Sequence, residues 1–171
     1  MKPLDPSEYS PYHKAYLDVV PDDDILATIA SQLETIPALL KQIPEERGVY
    51  AYAPGKWSIK QLIGHMSDTE RIFAYRALRI GRNDVTPLAG FEQDDYIAGA
   101  DFNARPLQNL IEEFIAIRQS SLALFNQFTA EELLRRGTAN GSPISVRALA
   151  YITAGHAEHH VRILKSRYVH Q

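Results

Sequence analysis

The chain has no cysteine among its 171 residues. Zinc fingers, iron–sulfur centres, thioredoxin-like redox pairs and cysteine nucleophiles all need a sulfur that is missing here. No apolar run approaches the ~20 residues of a membrane span, and the segment from Met1 to Pro6 carries no stretch of signal-peptide length. These absences lead to the expectation of a cytoplasmic protein with no membrane partner. Charge of one sign is also scarce: 18 basic and 21 acidic residues leave a net charge of −3. That balance supplies no global field for nucleic acid, and neither repeats nor low-complexity tracts occur.

What remains is a 45% hydrophobic, 23% charged chain, the composition of an ordinary globular protein. At this length it should form one domain, residues 1–171, burying roughly 70% of its unfolded surface. Residues 1–21 read as an arm, because Pro3, Pro6, Pro11 and Pro21 interrupt any helix. Tyr9, Tyr12 and Tyr16 give that arm amphipathic rings to dock with. Docking on its own domain is the simpler expectation, exchange with a dimer partner the alternative. Residues 22–171 read as a helical bundle.

Within it, a first helix should start near Asp22 to Asp24 and carry Ile25, Ile29, Leu33, Ile36, Leu40 and Ile43 at helical spacing, kinked at Pro37. Gly48 to Pro54 alternates like a short extended segment. Ser58 to Gln61 forms a capping box that opens a second helix to Ile80, with Gly81 as its stop. Its inner stripe is Leu62, Met66, Thr69, Phe73 and Ala77. Residues 82–104 form a long connection, with a short helix near Gln93 to Ala98 and the aromatic rings of Phe91, Tyr96 and Phe102. A third helix begins near Pro106. A capping box at Thr129 suggests a short helix, 137–143 reads as a turn, and Ser145 caps a last helix to about Tyr168. Four long helices and almost no strand signal define an all-α protein, a four-helix bundle with an extended N-terminal arm and a long loop between the second and third long helices. Long loops leave the order of neighbours in the bundle open.

The chemistry lies in the histidines. On a 100° helical wheel, His156 and His160 fall in the same apolar face as Leu149, Ile152 and Ile163. Residues four apart are neighbours, so two imidazoles there can share one metal ion. His65, beside Leu62 and Thr69 on the second helix, can point into the same interior. A lone inward histidine is more often a satisfied core residue, but a four-apart pair without partners is costly to bury unless a metal satisfies both. His159 falls at the edge of the face, as a rim group. His13 and His170, near the chain ends, have no such context. No Glu-x-x-His pair supports a di-iron bundle, and Ala157 stands where a zincin needs glutamate. The remaining pattern is a mononuclear site with three nitrogen ligands and an open coordination position. Nitrogen ligands suit zinc, nickel, iron or copper, so the donor set leaves the metal open; zinc or nickel is the first expectation, with iron or manganese as further candidates. Asp68 and Glu158 are candidates for a second shell of hydrogen bonding or for a base, and Glu70 is weighed alongside Asp68. For each, a solvated surface position is an equally good reading. Arg71, Arg76, Arg79 and Arg82 on the second helix, with Arg162, Lys165 and Arg167 on the last, read as solvated faces or ion pairs rather than a nucleic-acid surface.

Tyr52 to His65, with its Trp57-Ser58-Ile59-Lys60 core, resembles the start of the second helix in DinB-like proteins (the DinB/YfiT superfamily). Asp68 to Arg71, Phe73 to Arg76, Leu88 to Asp94, and Gly155-His156 with His159-His160 fit the same resemblance, which covers nearly the whole chain. Glu92 departs from the aspartate more usual in that segment. The resemblance implies a four-helix bundle in which His65, His156 and His160 hold one divalent metal, often in a homodimer. It also implies a metal-dependent hydrolase or a low-molecular-weight-thiol-dependent S-transferase acting on a small-molecule substrate. Because the chain has no cysteine, any thiol would be an external cosubstrate. Trp57, Phe91 and Tyr96 could wall the cavity, with 82–104 as a lid. The alternative is a non-catalytic, stress-related metal-binding protein.

Overall fold

A computed structural model describes residues 4–21 and 24–169; Pro3, Asp22 and His170 lie outside them. The arm forms two 3-10 turns, Pro6–Glu8 and Pro11–His13, and a single-turn helix α1 (Lys14–Leu17). Then follow α2 (Ile25–Leu40), α3 (Ile59–Gly81), α4 (Gln93–Gly99), α5 (Leu107–Asn126), α6 (Ala130–Leu134), a hairpin of β1 (Arg136–Ala139) and β2 (Ser142–Ser145), and α7 (Val146–Ile163). The last helix continues as π-helical turns over Leu164–Val169. No helix of the described residues is long and apolar enough to cross a membrane.

The four long helices form the bundle. Both α2 and α3 pack against α5 and α7, so consecutive helices α2 and α3 sit diagonally and the order is not up-down-up-down. Two apolar clusters fill the interior. One contains Ile25, Ile29, Phe73, Ile80, Phe125 and Leu149, the other Ile36, Leu40, Leu62, Ile63, Phe114 and Val161. Buried polar side chains, Gln32, Thr69, Glu70, Arg118, Ser121 and His156, occupy the sequence positions between the two clusters on their helices. A polar layer therefore separates the two apolar clusters inside the bundle.

Local chemistry sets the helix starts. A helix leaves its first N–H groups without partners. In α3 each finds one. Ile59 donates to the Tyr50 carbonyl (3.2 Å), Lys60 to the Gly48 carbonyl (2.9 Å), Gln61 to Ser58 Oγ (3.1 Å) and Leu62 to the Ser58 carbonyl (2.9 Å). The expected extended segment at 48–54 is accordingly no strand; its carbonyls clasp a helix end instead. Asp24 caps α2 and Ser145 caps α7. The helix α2 runs on through Pro37, whose ring nitrogen cannot donate to the Leu33 carbonyl. Gly81 is the last residue of α3 rather than its stop. A Cβ there would collide with the Phe128 ring, and the chain reverses at Asn83, φ 63°.

The hairpin corrects the expectation of a simple turn. Asn140 (φ 48°) and Gly141 (φ 71°) form the left-handed pair of a two-residue β-turn, and Arg136 lies opposite Ser145. Leu88 joins its edge, donating to Thr138 and accepting from Asn140. The long connection is thereby stitched to the hairpin, which carries Phe91 and Glu92 over the bundle.

The arm docks on its own α7. Glu8 accepts from Ser145 Oγ (2.7 Å) and Arg147 Nε (2.7 Å). Burial by itself would raise the Glu8 carboxyl, but these bonds outweigh it and hold the pKa at about 2. Further along, the Tyr16 backbone lies so close to Gly155 that a Cβ would collide with the Tyr16 carbonyl. A G155A substitution should therefore lift the arm from α7, at a cost of about 1–3 kcal/mol. Limited proteolysis would then cleave the arm faster than in the wild type, and an unchanged cleavage rate would show that the arm tolerates the methyl.

Candidate metal centre

The helix α7 presents His156 and His160 one turn apart, and α3 brings His65 against them. His65 Nε2 lies 3.0 Å from His156 Nε2, and His160 Nε2 lies 3.0 Å from the same atom. One ligand atom from each of the three lies within 4.8 Å of the others. Metal–nitrogen bonds of about 2.0–2.1 Å at angles of ~90–110° put two ligand nitrogens ~2.8–3.4 Å apart. The two 3.0 Å separations fall in that range, which makes the three imidazoles a candidate ligand set for one first-row divalent ion.

The electrostatics agree. The three residues are 3–7% exposed. Burial pushes His65 down to about 4, with Asp94 pulling weakly the other way. Burial, then mutual repulsion within the cluster, pushes His156 and His160 well below the ordinary histidine range. All three are neutral at pH 7, with lone pairs free for a metal. Thr69 Oγ1 lies 3.4 Å from His65 Nδ1. As acceptor there, it favours the tautomer that leaves Nε2 unprotonated. The Trp57 ring lies against His65, tilted by 49° with 4.7 Å between ring centroids. The Tyr16 ring meets His156 edge-on at 5.3 Å, and Phe73 does so at 5.8 Å.

A cavity of about 270 Å³ opens over His65 and His156. The arm supplies Ser10, Tyr12, His13 and Tyr16 to its wall. The stitched connection supplies Phe91, Glu92 and Gln93, and the hairpin supplies Asn140, Ser142 and Ile144. Phe91 takes the expected place in the wall. Trp57 stands behind His65 instead, and Tyr96 packs on Phe91 at 5.2 Å without lining the cavity.

Other sequence candidates are placed elsewhere. Asp68 accepts from Arg71 Nη1 (3.2 Å) away from the cavity; burial raises its carboxyl and Arg71 opposes this. Glu158 pairs with Arg162 Nε (2.9 Å) at the surface. Neither carboxylate meets the histidines: Asp68 lies about 60° from His65 on the side away from Thr69 and Phe73, and Glu158 lies about 160° around the helix from His156. Glu70 lies in the core against Arg118 (2.8 Å). His159 stays at the rim with its ring against Tyr16.

Two basic residues of the cavity escaped sequence reasoning. His13, which had no apparent context, reaches the cavity through the docked arm. Burial, then the charge of Arg76, pushes it down to about 4. Arg76, assigned to a solvated or ion-paired face, is 5% exposed and lines the cavity. The one signal for Arg76 was its spacing: it lies eleven residues past His65, three turns along the same face.

A sequence model of the DinB superfamily matches residues 28–164. A protein of Oceanobacillus iheyensis, OB0413, named as a candidate metal-dependent hydrolase, is 26% identical over 143 residues, covering 82% of this chain and 81% of its own length. Among solved structures, Bacillus subtilis YfiT matches with a TM-score of 0.74 at 16% identity, over 92% of this chain and 90% of its own. It is described as a candidate metal-dependent hydrolase with an unusual four-helix bundle topology. At that identity the likeness is one of fold.

Proposed function

The chain belongs to the DinB superfamily, and on that footing we propose that it is a metal-dependent hydrolase acting on a small molecule at a mononuclear three-histidine centre. The observation that carries this reading is the convergence of three neutral, buried imidazoles beneath a cavity, with no carboxylate joining the group among the described residues. Structural zinc is closed by four protein ligands, whereas three leave a position for water or substrate. His65, His156 and His160 would hold the ion. When bound, a divalent metal supplies Lewis acidity toward a water or a substrate oxygen. The protein's own groups do the rest. Thr69 fixes the His65 tautomer, while Trp57 and Phe73 shield the imidazoles from bulk water. His13, neutral at pH 7, offers an acceptor inside the cavity, since its Nδ1 is buried without a partner.

Zinc or nickel is the first expectation for the ion. Metal analysis of tag-free protein should find one divalent ion per chain. The variants H156A and H160A should each lose it, and H159A should keep it. One tight metal per chain in both ligand variants would sink the reading. An external low-molecular-weight thiol is the cosubstrate of the S-transferase alternative. Ester or amide hydrolysis without added thiol supports the hydrolase, whereas turnover only with thiol favours the transferase. A cobalt-substituted form with a closed, four-coordinate spectrum and no exchangeable water would favour a non-catalytic metal-binding protein.

A further inference from the structure

Arg71, Arg76 and Arg79 lie on the second half of α3 and Arg82 follows its last residue; three of these four arginines have carboxylate partners. Arg71 pairs with Glu113 (2.5 Å) and Asp68, Arg79 with Asp84, and Arg82 with Glu132 (3.1 Å). Arg76 is the exception. It is 5% exposed, and no carboxylate among the described residues pairs with it. One of its N–H groups donates to the Ala89 carbonyl at 2.7 Å. Its guanidinium carbon stands 5.9 Å from the centre of the Phe91 ring. Burial pushes its pKa down, with no anion pulling the other way.

An arginine cannot shed this cost by losing its proton, so a buried guanidinium is ordinarily paired. Arg76 lines the same cavity as His65 and His156. Glu92, the only carboxylate in that lining, is exposed and does not reach it. The remaining polar lining comes from uncharged groups such as Ser10, Gln93, Asn140 and Ser142. The guanidinium fork matches the planar or tetrahedral oxygens of carboxylate and phosphate. At about 270 Å³ the cavity falls below the usual ~300–1,000 Å³ of ligand pockets, which restricts the occupant to a small molecule.

We propose that Arg76 anchors an oxyanion group, carboxylate or phosphate, of the small molecule that occupies this cavity, so that the substrate class is a small organic anion whose other end faces the three histidines. This rests on the hydrolase reading for the second clause only. Anion binding at Arg76 is a property of the cavity itself, and the test separates the two.

The test titrates metal-free wild-type protein at pH 7.5 with inorganic phosphate, with succinate and with uncharged succinamide, by calorimetry and thermal shift. Metal-free protein keeps the ion from binding the anion itself. Saturable binding of phosphate or succinate, but not of succinamide, is expected, and whichever anion binds identifies the chemistry. The variant R76M should weaken that binding at least tenfold while its circular dichroism stays that of the wild type. R76K, which keeps the charge but loses the planar fork, should weaken it severalfold and decides the matter if R76M does not fold. H156A should still bind the anion. Wild-type protein that binds neither anion, or R76K and R76M that bind as well as wild type, would overturn the proposal. Anion binding that persists without any metal-dependent hydrolysis would leave Arg76 standing and remove the hydrolase.

Discussion

Replacing Arg118 by methionine is expected to cost about 3–5 kcal/mol of folding stability. Its side chain is wholly buried, and its charge meets Glu70 Oε2 at 2.8 Å. Arg118 Nη1 also donates to Gln32 Oε1 (2.8 Å), and Gln32 Nε2 donates to the Ala154 carbonyl (3.0 Å). One chain of contacts thus joins α3, α5, α2 and α7, and it ends two residues before His156. Methionine fills much of the arginine stem's volume, so the loss comes from stranding Glu70 rather than from a cavity. Burial already raises the Glu70 carboxyl against the pull of Arg118; without Arg118 it should take up a proton. The double variant E70M/R118M should recover most of the loss, because two apolar side chains leave no unpaired charge. Urea unfolding of the two variants checks this. An R118M midpoint within experimental scatter of wild type would show that the pair contributes nothing. Since whole domains are stable by about 5–15 kcal/mol, the single variant should sit close to unfolding.

The metal-free protein should lose stability as pH falls from about 6.5 toward 4. His65 and His13 titrate near 4 in the folded state, chiefly because burial disfavours the charged ring. In the unfolded chain both protonate near 6.5. Between those values the unfolded state binds more protons, so acidification favours it by up to about 1.4 kcal/mol per pH unit and histidine. His65 alone then contributes about 2 kcal/mol of loss by pH 5, and His156 and His160 act in the same direction. The raised carboxyls of Glu70 and Asp68 oppose this, since the folded state protonates them first. Glu8, held at about 2, stabilises the fold above the unfolded carboxyl range and loses that contribution only as pH falls further. The histidine window therefore opens first. Zinc binds the neutral rings alone, so saturating zinc should offset the loss at pH 6 and less so as the pH falls. Urea midpoints at pH 7.5, 6.5 and 5.5, with chelator and with zinc, read this directly. A midpoint in chelator that stays flat over that range would mean that the histidines are charged or exposed.

The legible parts of the chain were those written in short-range chemistry. The capping boxes at Ser58 and Thr129 are satisfied in both directions. The stripe from Leu62 to Ala77 is buried throughout. The pair His156 and His160 was legible because one turn of helix fixes their spacing. The hairpin was missed although Asn140-Gly141 is a strong turn signal, because its four-residue strands carry little apolar alternation. Asp68 and Glu158 were singled out by closeness in sequence to the histidines, yet their side chains leave the inner face and find arginines.

By itself, then, the sequence determined the helices, their caps and their inner faces, all of which depend on residues within a turn or two of one another, and its lack of cysteine excluded sulfur from the candidate centre. Tertiary structure alone decided that His65 meets His156 across 91 residues of chain. It also decided that α2 and α3 lie diagonally, that the arm carries His13 to the cavity and that Arg76 is buried without a carboxylate. Each of these depends on which helix lies beside which and where the loops close. A helical pattern specifies an inner face but not the neighbour that face will meet.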